Sequence, residues 1–302
     1  MKVTEFSENT KIDHVSPPWE KFLGKDDFIS YMPSYIGGTM IDEFDEYSYP
    51  TNDTGNITYY LFNPTKHCNN IDSSEKLPLI VFIHGATNSF DGRKCISHSG
   101  GEMFATEKYQ SEIGKGAFIL VPLANEKKDE NGMLCDSWND KYLPHLKAII
   151  EETMQKYAVS KVIITGGSSG GAMTWKAVLA YPELFNGCIP VSSGFMPDVS
   201  QLKMLEKYGI KIIYACGKHD EFNCYDEKYL DSYRYIAEMQ NGICYIPEWT
   251  RNGDYGVASL FFGIEMGQHC MITQIQANLM FNDGKPYCEH LPHGITGWIK
   301  DI

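Results

Sequence analysis

The chain has 302 residues and a formal net charge of −13, with 43% hydrophobic and 22% charged residues. This composition is typical of a folded globular protein and excludes a disordered chain. At this length roughly 75% of the surface of the unfolded chain can be buried, so neither disulfides nor a structural metal is required for stability. The acidic excess opposes the phosphates of nucleic acids and the anionic face of a membrane, so we expect neither as a partner.

The sequence has no run of about 20 apolar residues that would cross a bilayer, and its first residues lack the apolar core of a signal peptide. Its nine cysteines occur singly, without a Cys-x-x-Cys pair, which favours free thiols over a disulfide framework or a zinc knuckle. We therefore expect a cytoplasmic protein, or alternatively a secreted one from which a signal peptide has been removed.

The first part of the chain, residues 1–45, is polar and is interrupted by prolines and a glycine pair. We expect it to form an N-terminal arm packed on a single catalytic domain of residues 46–302. Residues 47–62 alternate apolar and polar side chains around a turn at residues 53–55, which predicts an antiparallel hairpin.

Beyond the hairpin, short runs that are apolar at every position alternate with segments of helical periodicity. Such runs indicate strands that are covered on both faces, and they occupy residues 79–83, 117–121, 162–164, 188–191, 210–215 and 260–264. Apolar residues recur every three or four positions in residues 143–157 and 229–236, which predicts amphipathic helices. The alternation predicts an α/β fold with a mostly parallel central sheet and helices on both faces.

Residues 161–179 (KVIITGGSSGGAMTWKAVL) place a glycine-rich turn between a buried strand and a helix. This context predicts a nucleophile elbow, in which a strained serine stands at a helix N-terminus that favours negative charge. The motif Gly-x-Ser-x-Gly fits either Ser168 or Ser169 as nucleophile. We choose Ser168, because Gly171 then lies in the first helical turn, where close packing on the strand requires a small residue. A glycine turn with incidental serines is the alternative, whereas a phosphate-binding loop lacks its Lys-Ser/Thr ending.

Four segments together resemble the α/β-hydrolase superfamily, in the esterase branch of polyhydroxybutyrate depolymerase-like, feruloyl-esterase-like and "predicted peptidase" proteins. The segments are IVFIHGA, FILVPLA followed by Trp138, TGGSSGGAMTW followed by AYPELFNG, and ACGKHDEF. The resemblance covers residues 47–302. It implies the α/β-hydrolase fold and a serine carboxylic-ester hydrolase that works through an acyl-enzyme without cofactor or metal. A small-molecule or carbohydrate-linked ester is the implied substrate.

A serine nucleophile of this fold needs an acid and a histidine base that follow it in that order along the chain. Asp220 lies in a Gly-x-x-Asp turn that resembles the acid turn of the family, with Glu221 and Asp198 as alternatives. His269 lies between the apolar run of residues 260–264 and a helical segment, where a loop would present a base, and His293 is its alternative.

Two backbone N–H groups should stabilise the negative charge on the carbonyl oxygen during attack. One is expected from Ser169, the residue after the nucleophile. The other is assigned to Ala86, because His84-Gly85-Ala86 resembles the oxyanion segment of the family. We interpret His84 as a residue that braces the loop, and Trp138 by resemblance as a wall of the substrate pocket, or equally as a buried aromatic residue.

Two other functions use the same residues. A serine peptidase would employ the same nucleophile and base, since ester and amide cleavage differ in leaving-group protonation and pocket shape. A binding protein that keeps a hydrolase fold without catalysis is the other alternative, although Ser168, Asp220 and His269 in the required order argue against it.

Overall fold

The computed structural model describes residues 3–4, 40–67, 71, 74–99, 101–250, 267–281 and 283–302. The strands of this part are numbered in chain order: β1 (Val3–Thr4), β2 (Phe44–Tyr49), β3 (Ile57–Phe62), β4 (Leu77–Ile83), β5 (Phe118–Pro122), β6 (Lys127–Lys128), β7 (Leu134–Cys135), β8 (Val159–Gly167), β9 (Gly187–Val191), β10 (Lys211–Ala215) and β11 (Gly242–Tyr245).

A single sheet of the described residues contains nine of these strands, in the order β1-β11-β10-β9-β8-β4-β5-β3-β2. Along this order, each strand from β1 through β11, β10, β9, β8 and β4 to β5 pairs in parallel with the next. The antiparallel part is the hairpin of β2 and β3, which joins the edge of the sheet through β5. Strands β6 and β7 form a separate small hairpin.

Helices connect most of the parallel strands. The α-helices of the described residues are α1 (Cys95–Ser99), α2 (Gly101–Ala105), α3 (Glu107–Ile113), α4 (Leu143–Lys156), α5 (Ser169–Ala180), α6 (Val199–Lys207), α7 (Leu230–Glu238), α8 (Ile272–Gln276) and α9 (Gly294–Asp301). Short 3-10 helices occupy Ile41–Glu43, Pro64–Lys66, Asn88–Lys94, Asp140–Tyr142, Pro182–Leu184 and Glu227–Tyr229.

The alternation of side chains along the central strands sends every second residue into one of two apolar layers. In β4, Leu79 and Val81 pack into the layer that contains Leu146 of α4 and Trp175 of α5. Their neighbour Ile80 packs into the opposite layer, among residues of α1–α3, α8 and α9. Because both faces are covered, all seven residues of β4 are buried, as a continuous apolar run predicts.

The hairpin, the mostly parallel sheet and the helices on both faces are therefore confirmed. Strand β8 is longer than predicted, and β11 was not distinguished from the end of the helix before it. The predicted strand at residues 260–264 lies outside the described residues, as do residues 1–2 and 5–39 of the predicted arm. The division into an arm and one domain remains a prediction.

Candidate active site

Ser168 occupies the sharp turn between strand β8 and helix α5. Its backbone has φ 60° and ψ −123°, a conformation that a residue with a side chain adopts only under strain. Its N–H donates to the carbonyl of Val191 in the neighbouring strand β9, 3.0 Å away. The strand and the helix thus hold Ser168, which is half-buried, at the carboxyl edge of the sheet.

The glycines around the turn differ in how closely the backbone approaches them. A Cβ on Gly166 would lie 2.4 Å from the Ile83 carbonyl oxygen, and one on Gly170 only 2.2 Å from that same oxygen. A Cβ on Gly167 would instead make ordinary contact with Ile272 at 3.4 Å. Both glycines of the register Gly166-x-Ser168-x-Gly170 therefore exclude a side chain. In the Ser169 register Gly171 also excludes one, because its Cβ would lie 2.4 Å from the Val191 carbonyl oxygen, but Gly167 does not.

Asp220 and His269 are brought together from segments 49 residues apart. The Nδ1 of His269 lies 2.8 Å from Oδ2 of Asp220, and the two side chains are 9% and 0% exposed. Asp220 follows the end of β10, and its other oxygen accepts the backbone N–H of Phe222 at 2.9 Å. Since a carboxylate accepts, Nδ1 carries the proton that it shares with Asp220, and Nε2 is the nitrogen left to accept one.

The segment that carries His269 packs on the serine turn. Ile272, three residues after His269, is the side chain that a Cβ on Gly167 would contact. No hydrogen bond joins the side chains of Ser168 and His269, both of which are described. Hydrogen bonds between a nucleophile and its base are often long in the absence of substrate.

The loop after strand β4 lies beside the serine. A Cβ on Gly85 would be 3.6 Å from Cβ of Ser168. The buried ring of His84 fixes this loop: Ala124 N–H donates to Nε2 at 3.0 Å, and Nδ1, 2.6 Å from the Gly85 carbonyl, donates to it. Burial lowers the pKa of His84, which keeps the ring in the neutral form that this pair of bonds requires. The structure thus places His84 as a brace.

Trp138 contacts the same loop. Its indole N–H donates to the carbonyl of His84 at 2.9 Å, and the two rings lie 4.9 Å apart. Glu126 connects the end of this loop to the segment before Trp138, because its two oxygens accept the hydroxyls of Ser89 and Ser137, each at 2.7 Å. The half-buried indole therefore supports the loop, a role that the sequence interpretation as a pocket wall did not include.

Glu221 was an alternative acid in the sequence, but its carboxylate lies elsewhere. Its Oε1 accepts the backbone N–H of Gln268 at 2.8 Å, and its Oε2 accepts that of His269 at 2.7 Å. It therefore holds the backbone of the histidine loop instead of the imidazole ring. No motif signals this contact, because it joins residues 47 and 48 positions apart.

The acid turn is anchored from its other side by Glu248. This buried carboxylate lies 2.9 Å from Nε2 of His219 and 3.1 Å from Nζ of Lys218. Burial opposes its ionisation, but the hydrogen bonds from His219 and Lys218 outweigh burial and lower the pKa of Glu248. The ring of Trp249 stacks on His219 at 4.4 Å. The sequence interpretation missed this anchor.

The remaining alternatives lie in helix caps. The Asp198 side chain accepts the backbone N–H of Gln201 and caps helix α6 in a capping box. His293 is the N-cap residue of α9, which packs against α3. Neither side chain is hydrogen-bonded to the pair of Asp220 and His269.

One more side chain lies next to that pair. Sγ of Cys224, a buried thiol, is 3.7 Å from Nδ1 of His269. Among the described residues, Asp220, Cys224 and His269 are the group whose potential metal ligands all lie within 4.8 Å of one another. No sequence motif marks Cys224.

Comparison with solved structures identifies the fold of the chain. A thermostable esterase matches with a TM-score of 0.59 and 24% identity, over 78% of this chain and 60% of that one. The chain therefore spans less than two thirds of the length of that esterase. The likeness shows that the chain has the α/β-hydrolase fold, which confirms the fold expected from the sequence.

Two further structures match less closely. The fluorophosphonate-binding serine hydrolase FphF of Staphylococcus aureus has 18% identity and a TM-score of 0.45, with 68% of this chain and 90% of that chain covered. The feruloyl esterase module from Clostridium thermocellum, complexed with sinapinate, has 12% identity and a TM-score of 0.48, with coverages of 71% and 83%.

No protein-family model and no curated protein matches the chain. Every helix in the described part is too short or too polar to cross a membrane.

Proposed function

We propose that the protein is a serine carboxylic-ester hydrolase with Ser168 as nucleophile, His269 as base and Asp220 as the acid that orients the base. The observation that carries this proposal is the pairing of a strained serine turn with a buried carboxylate and imidazole at the same edge of an α/β-hydrolase sheet. The thermostable esterase that shares this fold supports the same class.

The reaction begins with attack of Ser168 Oγ on the ester carbonyl while Nε2 of His269 takes the hydroxyl proton. Asp220 stabilises the imidazolium that forms, through the hydrogen bond at Nδ1, and keeps the ring in the tautomer whose Nε2 accepts. The imidazolium then gives its proton to the alcohol that leaves. Water repeats the sequence on the acyl-enzyme, which releases the acid and restores Ser168.

The negative charge on the carbonyl oxygen is assigned to two backbone N–H groups. Ser169 is the first residue of α5, so its N–H has no acceptor within the helix and can donate to the oxyanion. Ala86 follows Gly85 in the loop that faces Ser168, and its N–H is the second donor. His84 and Trp138 act as positioning residues that fix this loop.

Turnover of p-nitrophenyl acetate and butyrate by the wild type, Ser168→Ala and Ser169→Ala tests the proposal. Loss of the nucleophile should lower kcat by at least about 10³-fold. Ser169→Ala is the matched control, because its Oγ is buried without a partner in the described structure and its backbone N–H is retained. Equal rates for the wild type and Ser168→Ala, or loss of activity in Ser169→Ala alone, would refute the assignment.

Ester preference is tested separately from the nucleophile. The same three proteins are given chromogenic peptide amides, and a faster release of amine than of any ester alcohol would make the protein a peptidase. Labelling by a fluorophosphonate probe that depends on Ser168 distinguishes either enzyme from a binding protein without catalysis.

A further inference from the structure

Cys224 lies at the back of the acid and base pair, and the proposed ester hydrolysis does not use it. It is 5% exposed and follows Asp220 by four residues in the loop after β10. Its Sγ is within 3.7 Å of the His269 nitrogen that is 2.8 Å from Asp220. A thiol, an imidazole and a carboxylate thus converge on one point from two separate segments of the chain.

These three groups are the ligand types that zinc and similar thiophilic cations prefer. In a tetrahedral site with metal bonds of about 2.3 Å to sulfur and 2.0 Å to nitrogen, the two ligand atoms are about 3.5 Å apart. The observed separation of Cys224 Sγ and His269 Nδ1 is 3.7 Å. The Asp220 oxygen must move away from Nδ1 by about half an ångström, because a nitrogen and an oxygen ligand are about 3.3 Å apart in such a site.

We infer that the protein binds one thiophilic divalent cation of the Zn²⁺ class through Cys224 Sγ, His269 Nδ1 and an Asp220 oxygen, with water as the fourth ligand. The thiol proton is released to solvent when the metal–sulfur bond forms. The imidazole stays neutral, and its single proton moves from Nδ1 to Nε2. A ring protonated at Nε2 cannot accept the proton of Ser168, so the bound metal inhibits the enzyme; this consequence rests on the proposed function.

The surroundings of Cys224 disfavour oxidation of its thiol but do not prevent metal binding. Burial and the negative charge of Asp220 raise the pKa of the Cys224 thiol, which therefore stays protonated and resists oxidants in the absence of metal. A divalent cation removes that proton because a coordinating thiol is deprotonated by the ion itself. Cys270, beside His269, offers a matched thiol: burial raises its pKa to about 12, but it is not in the group of three ligands.

The first test is the absorption spectrum with Co²⁺, a spectroscopic substitute for zinc. Thiolate coordination to Co²⁺ produces a charge-transfer band in the near ultraviolet, which requires no catalytic activity. The wild type and Cys270→Ser should show the band with one Co²⁺ per chain, as should Ser168→Ala, which separates this inference from the proposed function. Cys224→Ser should lose it, and so should Cys224→Ala, which places no hydroxyl in the buried site.

The second test is inhibition of ester turnover by Zn²⁺, with Mg²⁺ as a hard cation that avoids thiolates. Zn²⁺ should inhibit the wild type and Cys270→Ser, and the concentration for half inhibition should rise at least about 10-fold in Cys224→Ser. Circular dichroism melts establish that each variant is folded. A band that persists in both Cys224 variants, one that vanishes in Cys270→Ser, or none at millimolar Co²⁺ would overturn the inference.

Discussion

Glu221 holds the loop that presents His269, and Glu221→Gln tests how far catalysis depends on that loop. Glutamine has the same length but a single acceptor oxygen, and its NH2 group can only donate. The carboxylate accepts two neighbouring backbone N–H groups, those of Gln268 and His269. In either orientation of the new amide, its oxygen can accept only one of the two N–H groups. The NH2 group then faces the other N–H, so that one hydrogen bond is lost and two donors oppose each other.

A hydrogen bond to a charged acceptor contributes about 1.5–3 kcal/mol. We expect Glu221→Gln to lower the free energy of unfolding by about 2 kcal/mol. If loss of this bond raises the free energy of the loop conformation that presents His269 by the same amount, kcat falls by up to about 30-fold. KM should change little, because Glu221 holds the base and not the substrate.

The assay is steady-state turnover of p-nitrophenyl butyrate, together with urea unfolding of each variant. Glu227→Gln is the matched control, since Glu227 is an exposed carboxylate in the short 3-10 helix after this loop and the substitution removes the same charge. The reasoning is refuted if Glu221→Gln has the kcat and the stability of Glu227→Gln.

Three further predictions concern the elbow, the oxyanion loop and acid stability. Gly170→Ala should lower the free energy of unfolding by at least about 2 kcal/mol, because its Cβ would meet the Ile83 carbonyl, whereas Gly167→Ala should change it by less than about 1 kcal/mol in urea unfolding. Trp138→Phe should lower kcat about fivefold through loss of one hydrogen bond of about 1 kcal/mol; a raised KM with unchanged kcat would make Trp138 a pocket wall instead. The lowered pKa of Glu248 contributes stability that is complete above its ordinary value of 4.5 and lost as the pH falls through the folded-state value. Glu248→Gln should therefore be less stable than the wild type at pH 7 and lose less stability on acidification; parallel curves of unfolding free energy against pH would contradict this.

Local pattern carried much of the fold prediction. Buried strands of a parallel sheet are apolar at every position, and apolar residues recur every three to four positions in amphipathic helices. Both patterns can therefore be recognised in a short stretch of sequence. The sequence pattern did not reveal strand β11, because it has only four residues, begins with Gly242 and follows the end of helix α7 after three residues. A short stretch also locates a glycine-rich elbow, since its strand, turn and helix are consecutive.

The sequence by itself determined the α/β architecture, and it predicted an elbow at residues 161–179 with Ser168, Asp220 and His269 as the candidate site residues. Only the tertiary structure showed that the strained backbone of positive φ falls on Ser168, whereas Ser169 begins helix α5. It also assigned Glu221 to the histidine loop and placed the thiol of Cys224 next to His269. These contacts join residues more than 40 positions apart, and their geometry depends on how separate loops pack at one sheet edge, which no local pattern encodes.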